Sequence, residues 1–302
     1  MISCMRVGID LGGTKIELIA LDDQGQECMR FRKATPAGEY EATVALIAEM
    51  VLQAECELGQ PATVGVGTPG ALSVRSGLMK NCNSTCLNGR PLKKDIESAL
   101  NREIRLSNDA NCFALSEAVD GAGEAAALVF GVILGTGVGG GLVVNGHLLE
   151  GVNRIAGEWG HNPLPGFDAL ELPGPACYCG RVGCIETWLS GPAISAAHLQ
   201  QFGADLSAVQ VARRAEAGDM ACRQTLGVYF DHLARALAGV INIFDPDVIV
   251  LGGGVSNIKQ LYAQVPGLWD QYIFSDVVNT TLLPPKYGDS SGVRGAAWLW
   301  RS

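Results

Sequence analysis

Basic residues are scarce in this chain. Twenty-two lysines and arginines stand against 31 aspartates and glutamates, for a net charge of −9 and an isoelectric point near 5.0. An acidic surface repels nucleic-acid backbones and anionic lipid, so neither is expected as a partner. Long apolar runs are missing too: no window approaches the roughly 18 unbroken apolar residues of a membrane span. The first residues, MISCMRVGIDLGG, lack a charged segment leading into a long apolar one, so no leader peptide is read. A reducing cytoplasm is the expected setting, where cysteines bind metals rather than pair. No low-complexity segment or obvious linker interrupts the chain. The dinucleotide fingerprint G-x-G-x-x-G opening a helix is absent, and so is the P-loop.

What is present is a globular composition. The 302 residues are 48% hydrophobic and 18% charged, enough for two domains of ordinary size. Strands are predicted over Arg6–Leu11, Lys15–Leu21 and Glu27–Arg32, with a turn at Asp22-Asp23-Gln24-Gly25. A helix follows over Glu39–Leu58, then a buried strand over Val64–Val66, ending in a loop at Gly67 to Gly70. Asn81 to Gly89 reads as irregular, Leu92–Arg102 as a helix and Ile104–Leu106 as a strand, with a helix starting near Ala110. The opening then repeats, as strands over Leu128–Leu134, Gly140–Val144 and His147–Leu149 around a second glycine turn and an Asn145-Gly146 hairpin. Two such starts imply a duplicated α/β domain whose halves face each other across a cleft. Later come a long helix over Asp219–Phe244, a strand over Val248–Leu251, a helix from about Ser256, and a closing helix over Gly292–Trp300.

One stretch concentrates metal-ligand chemistry. His161 is followed by Cys177, Cys179 and Cys184 in a Cys-x-Cys-Gly-x-x-Gly-Cys knuckle. Three thiolates and an imidazole make a closed tetrahedral zinc site, structural rather than catalytic. The plain alternative is free buried thiols or a disulfide. The remaining cysteines, Cys4, Cys28, Cys56, Cys82, Cys86, Cys112 and Cys222, show no ligand spacing and read as small hydrophobes. Glu158 and Glu186 bracket the set, so a metal that fixes the ligands also fixes two acceptors suited to a polyhydroxylated ligand such as a sugar.

Three glycine turns follow three strands: Gly12-Gly13, Gly135-Thr136-Gly137 and Gly252-Gly253-Gly254. Backbone N–H groups in such turns cradle phosphate oxygens. Asp10 precedes the first turn, and its counterpart in the repeat is Ile133. A carboxylate in one copy alone suits a phosphate-bound Mg²⁺ through water, and Lys15 beside it can neutralise phosphate. The alternative is a solvated strand-end aspartate. Asn108 and Asp109 stand at a strand end before a helix. Either is explained by capping alone, but an aspartate near a sugar hydroxyl is also the natural base for phosphoryl transfer.

The stretches Asp10-Leu-Gly-Gly-Thr-Lys15, Asn108-Asp-Ala-Asn-Cys112, Gly135-Thr-Gly-Val-Gly-Gly-Gly141, Gly157-Glu-Trp-Gly-His161, Cys177 to Glu186 and Asp245 to Gly254 together resemble the ROK family of sugar kinases, repressors and open-reading-frame proteins. The resemblance runs through essentially the whole chain, in order. It implies the actin/hexokinase-like (ribonuclease H-like) α/β fold, with residues 1–120 plus 291–302 as a small N-terminal domain. Residues 121–290 would form a larger domain carrying the zinc-binding insertion. It implies Asp109 as catalytic base, and Asn83, Asn108, Asp109, Glu158, His161 and Glu186 as sugar-binding residues. Asp10, Gly12, Gly13, Thr14, Lys15 and the later turns Gly135, Thr136, Gly137, Gly252, Gly253 and Gly254 would hold ATP. His161, Cys177, Cys179 and Cys184 would hold zinc, with the other ring nitrogen of His161 turned toward the sugar.

Within the family, the segments from Asn81, Gly157 and Gly288 look most like bacterial fructokinases of the manno(fructo)kinase kind. Asn111 to Gly141 also looks like bacterial N-acetylglucosamine kinases. The expectation is therefore an ATP- and Mg²⁺-dependent kinase of the hexose 6-hydroxyl, with D-fructose favoured and mannose or glucose secondary. One alternative is the same chemistry on N-acetylglucosamine, which needs room for an acetamide. Another is a sugar-responsive repressor, whose DNA-binding helices would precede the first glycine motif, where only Met1–Ile9 stand. A sugar-binding module without catalysis would need Asp109 replaced. A homodimer is expected.

Overall fold

The computed structural model describes residues 5–166 and 169–301; Cys4 and the outermost ends of the expected domains lie outside the described residues. The chain opens with β1 (Met5–Leu11), β2 (Lys15–Leu21) and β3 (Glu27–Ala34), an antiparallel meander. Helix α1 (Tyr40–Leu58) ends at Gly59, whose φ of 71° closes the helix in the left-handed region. Next come β4 (Ala62–Thr68), a small hairpin β5 (Ala71–Leu72) and β6 (Met79–Lys80), helix α2 (Leu92–Leu100), β7 (Arg105–Asn108) and helix α3 (Asp109–Val119). Strands β4 and β7 lie parallel to β1, giving the order β3-β2-β1-β4-β7.

The second half repeats that order. It runs β8 (Leu128–Leu134), β9 (Val138–Val144), β10 (His147–Leu148), helices α4 (Glu186–Leu189), α5 (Gly191–Phe202), α6 (Ala208–Glu216) and α7 (Met220–Phe244), then β11 (Val248–Gly252), α8 (Gln260–Trp269), β12 (Thr281–Leu283) and α9 (Ser291–Trp298). Its sheet is β10-β9-β8-β11-β12, with the first three antiparallel and β11 and β12 parallel to β8. The match is residue by residue: Gly8 corresponds to Gly131, Asp10 to Ile133 and Gly12 to Gly135. This is the duplicated actin/hexokinase-like fold.

Central strands β1, β4, β8 and β11 are near-continuous apolar runs because helices cover both faces. Edge strand β3 alternates exposed and half-buried residues and is rich in charge, as an open edge requires. Two separate cores follow the two sheets, one around Val7, Ile47 and Val64, the other around Phe130, Leu233 and Leu251. Helices α3 and α9 lie between them and cross over. Ala114 and Ala118 of α3 pack with Val129, Val143 and Val250 of the second sheet, while Val293 and Ala297 of α9 pack with Ile19 and Leu21 of the first.

The structure departs from the expected boundaries where backbone pairing overrides local composition. β4 runs through Gly67, because Gly67 pairs with Asp10 and Ser107 in the ladder. β7 continues past Leu106 to Asn108, paired with Thr68. β9 starts at Val138, opposite Leu134. The expected helix at Ser256 begins at Gln260, after a 3₁₀ turn over Gly254–Asn257. Of the scattered cysteines, Cys82, Cys112 and Cys222 are buried as read, but Cys28 and Cys56 are exposed and are not core residues.

Gly65 makes the closest approach of β4 to α9: a Cβ there would lie 1.8 Å from the Ala296 carbonyl oxygen. That atom is helix backbone and has nowhere to move. Gly65→Ala is expected to cost about 3 kcal/mol or more, by overpacking. Thermal or urea unfolding checks it, and an unchanged midpoint would mean that the α9 packing is loose.

Candidate active site

Strand ends and helix starts meet in the cleft between the sheets. Asn108 is both the last residue of β7 and the N-cap of α3, its side-chain oxygen accepting from the Asn111 amide at 2.8 Å. The next residue, Asp109, accepts from the Ala110 amide at 2.8 Å. Solvent reaches its carboxylate, yet protein crowds it closely. That crowding, with Glu158 adding repulsion, holds Asp109 above the usual carboxylate range against the lowering pull of the helix-start amides. Asp10 stands at the end of β1, beside the first turn of α9: one carboxylate oxygen lies 4.0 Å from where a Cβ of Gly292 would be. Burial pushes Asp10 up to about 6, Asp109 and Glu17 add to the rise, and Lys15 and Arg32 oppose it. Cys112 is buried behind this acidic pair. Both aspartates thus sit at helix N-termini, and helices α3 and α9 aim their partial positive charge into one cleft.

The first glycine turn is closed by the Gly12 amide donating to the Lys15 carbonyl at 3.0 Å, with Thr35 donating its hydroxyl to the Gly12 carbonyl at 2.8 Å. The 81–89 loop presses on this turn, since a Cβ at Gly13 would lie 3.3 Å from Ser84 Oγ. Asn83 is exposed on that loop, which Asn88 pins by hydrogen bonds to the Cys82 backbone at 2.9 and 3.1 Å. The second and third glycine turns come together elsewhere. A Cβ at Gly253, whose φ is 81°, would lie 2.4 Å from the Leu134 carbonyl oxygen. Gly135, Thr136 and Gly254 line one cavity of about 660 Å³ with Gly191, Arg213 and Lys259. The Gly191 amide at the start of α5 donates to the Gly135 carbonyl at 2.8 Å. Gly191, Arg213 and Lys259 had no motif to mark them, because they join the cavity only through the packing of α5, α6 and the segment before α8.

The four expected metal ligands converge. Ligand atoms of His161, Cys177, Cys179 and Cys184 all lie within 4.8 Å of one another. Cys179 and Cys184 sulfurs are 3.6 Å apart, as are Cys177 Sγ and His161 Nδ1. A tetrahedron with metal–sulfur bonds of about 2.3 Å spaces its corners about 3.8 Å apart, so the set fits zinc. Burial and the neighbouring thiols push Cys184 up to about 12, while the Arg181 amide pulls Cys179 down. A dication at the centre would deprotonate the whole set, which these sulfurs cannot do alone. The other ring nitrogen of His161 meets the Tyr178 hydroxyl at 3.0 Å, so a ligand reaching it there shares the position with Tyr178. Tyr178 sits close to Glu186 and Glu158 as well. It lies inside the knuckle and was missed because tyrosine is not a ligand type.

Glu186 opens α4 two residues after Cys184. Its Oε2 accepts from the Val138 amide at 3.0 Å, so it reaches the second glycine turn. A Cβ at Gly137 would lie 2.6 Å from the same oxygen. Glu158 shares a small cavity of about 30 Å³ with Asn108 and Asn111. The structure therefore gathers Asp10, Asp109, Asn108, Glu158, His161 and Glu186 around the cleft, with Asn83 at the rim by the first turn.

Comparison with other proteins agrees with this architecture. The sequence model of the ROK family matches residues 6–302, and the chain belongs to that family. It is 38% identical over 300 residues to an N-acetyl-D-glucosamine kinase of Pectobacterium atrosepticum, covering 98% of each chain. Among solved structures, the ROK hexokinase of Thermus thermophilus superposes with a TM-score of 0.86 at 32% identity, covering 97% of this chain and 96% of that one. A ROK glucokinase of Streptomyces griseus, solved with glucose and AMPPNP, gives a TM-score of 0.78 at 26% identity over 98% of both chains.

Two outcomes follow from the site. Purified protein is expected to hold about one zinc per chain, and Cys179→Ser to lose it. Elemental analysis decides, and metal-free wild-type protein of normal stability would remove the assignment. For Asp10 the folded state raises the pKa, so the fold favours the protonated form. The stability this gives is complete below 3.8 and is lost as pH climbs through about 6. At pH 8 without Mg²⁺, Asp10→Asn is expected to be more stable than wild type by on the order of 2 kcal/mol, the gap closing toward acid pH. Parallel unfolding curves at low and high pH would refute it.

Proposed function

We propose that this protein transfers the γ-phosphoryl group of ATP to the 6-hydroxyl of N-acetyl-D-glucosamine. The observation that carries the kinase reading is Asp109, a carboxylate of raised pKa at a helix N-terminus, between Asp10 and Glu158. A hexose hydroxyl is a poor nucleophile at neutral pH. A carboxylate within hydrogen-bond reach orients it and takes its proton as the phosphoryl group moves in line. Nucleotide would lie in the cavity between Gly135 and Gly254, with Arg213 and Lys259 at its wall. Asp10 would take the Mg²⁺ that accompanies ATP, whose part is to neutralise charge on the phosphates. Glu158, Glu186 and His161, held by the zinc knuckle, would grip the sugar together with Asn83 and Asn108. The domains 1–120 with 291–302 and 121–290, moving about α3 and α9, would close the cleft and exclude water. A homodimer in the cytoplasm belongs to the same reading.

The choice of sugar follows the relatives rather than the local motifs. The segments at Asn81, Gly157 and Gly288 favour fructose. The curated relatives at 37–38% identity over 98% of the chain are N-acetyl-D-glucosamine kinases, and that match weighs more than short loops.

One experiment tests both levels. A coupled assay over N-acetylglucosamine, glucose, mannose and fructose is expected to give the highest kcat/KM for N-acetylglucosamine. Fructose in first place would overturn the choice of sugar in favour of the one that the loop segments favour. Asp109→Asn should lower kcat by about 10²–10⁴-fold while leaving sugar affinity much less changed. Wild-type turnover should fall on the acid side at a pH above the ordinary carboxylate range, because Asp109 must be ionised to act. Near-normal turnover of the variant would remove Asp109 as base.

A further inference from the structure

A third cavity, of about 410 Å³, opens at the Arg105 end of β7 and adjoins the small cavity of Asn108 and Glu158, sharing Leu72, Leu106, Glu150 and Arg154 with it. Lys93, Arg105, His147, Arg154 and Arg301 line it, with Glu150 as the one carboxylate among the lining residues. A chain with a net charge of −9 has here gathered charge of the other sign. Two of these cations are offset locally, Lys93 by Glu97 at 3.5 Å and Arg154 by Glu150 at 3.8 Å. Arg105 donates to the Leu299 carbonyl at 2.5 Å and stacks over Trp300 at 4.3 Å, neither of which neutralises it. Among the described residues no carboxylate pairs with Arg105 or Arg301. Arg154 is also strained: its φ is 52°, in the left-handed region that non-glycine residues seldom occupy. Strain of this kind clusters where a side chain must be aimed.

We propose that this cavity binds a phosphorylated small molecule and regulates the protein from a position beside the sugar site, whose wall it shares through Arg154 and Glu150. Arginines converging from several directions match the oxygens of a phosphate group better than those of a single carboxylate. The volume exceeds what orthophosphate fills and falls in the range of small-molecule sites. Trp298 and Leu115 add apolar wall for an organic portion. The cations come from both halves: Lys93 and Arg105 from α2 and β7, His147 and Arg154 from β10 and the loop after it, Arg301 from beyond α9. An anion held by all of them ties the two halves together and biases the cleft toward the state in which these groups are closest.

Isothermal titration of the full chain with orthophosphate and with N-acetylglucosamine 6-phosphate tests this, run with the cleft first saturated by a non-hydrolysable ATP analogue and N-acetylglucosamine. One further site per chain is expected. Arg301→Glu and Lys93→Glu should each weaken it at least tenfold, with turnover at saturating substrates unchanged. Tighter binding of the sugar phosphate than of orthophosphate upholds the proposal; equal binding reduces it to a site for free phosphate and overturns the organic ligand. The proposal falls if filling the cleft abolishes phosphate binding, if no site is found, or if both variants bind as wild type does.

Discussion

Helices α3 and α9 cross with their backbones in contact at Gly295. A Cβ at Gly295 would lie 1.6 Å from the Cys112 carbonyl oxygen, so the backbones themselves touch. Gly8 and Gly65 do the same for α9 against the first sheet, and Gly131 and Gly141 for α3 against the second. A buried carboxylate locks the crossing: Glu117 of α3 accepts from the Ser291 hydroxyl at 2.6 Å and from the Lys286 and Ala122 amides at 3.1 and 2.8 Å. Arg294 of α9 reaches Asp120 and the Gly25 carbonyl. Close backbone packing fixes where the two helices begin. Their beginnings place Asp109 and the neighbourhood of Asp10, so the site's geometry is inherited from glycines that never touch a ligand.

The knuckle supplies a second rigid body. Cys184 and Glu186 are two residues apart, and Glu186 reaches across to the Val138 amide at the end of the glycine turn. Ordering the four ligands therefore orders that turn as well as the carboxylates around the cleft. Such support from one shell behind the site is what holds reacting groups within the tolerances that transfer chemistry needs.

Much of this was legible in the chain. Short apolar runs broken at glycines located both meanders, and the match of Gly8 to Gly12 with Gly131 to Gly135 revealed the duplication. The knuckle spacing picked out the ligands that converge. What stayed hidden was set by tertiary contact. Strands β5, β6 and β12 are two or three residues long, too short to carry a period. That α3 packs on the second sheet, although it follows β7 of the first, leaves no mark in its own apolar pattern. Gly191, Arg213 and Lys259 enter their cavity from three segments with no shared motif. Short loop segments resemble fructokinases, whereas relatives similar over the whole chain are N-acetyl-D-glucosamine kinases, because a few loop residues constrain a pocket less than the full set of contacts around it.

The duplication explains why the two halves do different work. Equivalent turns after β1 and β8 offer the same backbone amides, yet Asp10 faces one and Ile133 the other. An anionic phosphate near Gly135 meets no carboxylate at the position of Asp10, and the cavity there collects Arg213 and Lys259. In the first half the same position carries an acid whose proton is held up to about 6 by burial and by Asp109. Two acids so placed repel each other at neutral pH, and a cation between phosphate and Asp10 relieves that repulsion. The strand end that carries Asp10 is thus suited to a cation, while the equivalent strand end at Ile133 adds no charge of its own beside Gly135. The two copies of one fold thus place different charges around equivalent turns, Asp10 in the first and Arg213 with Lys259 near the second.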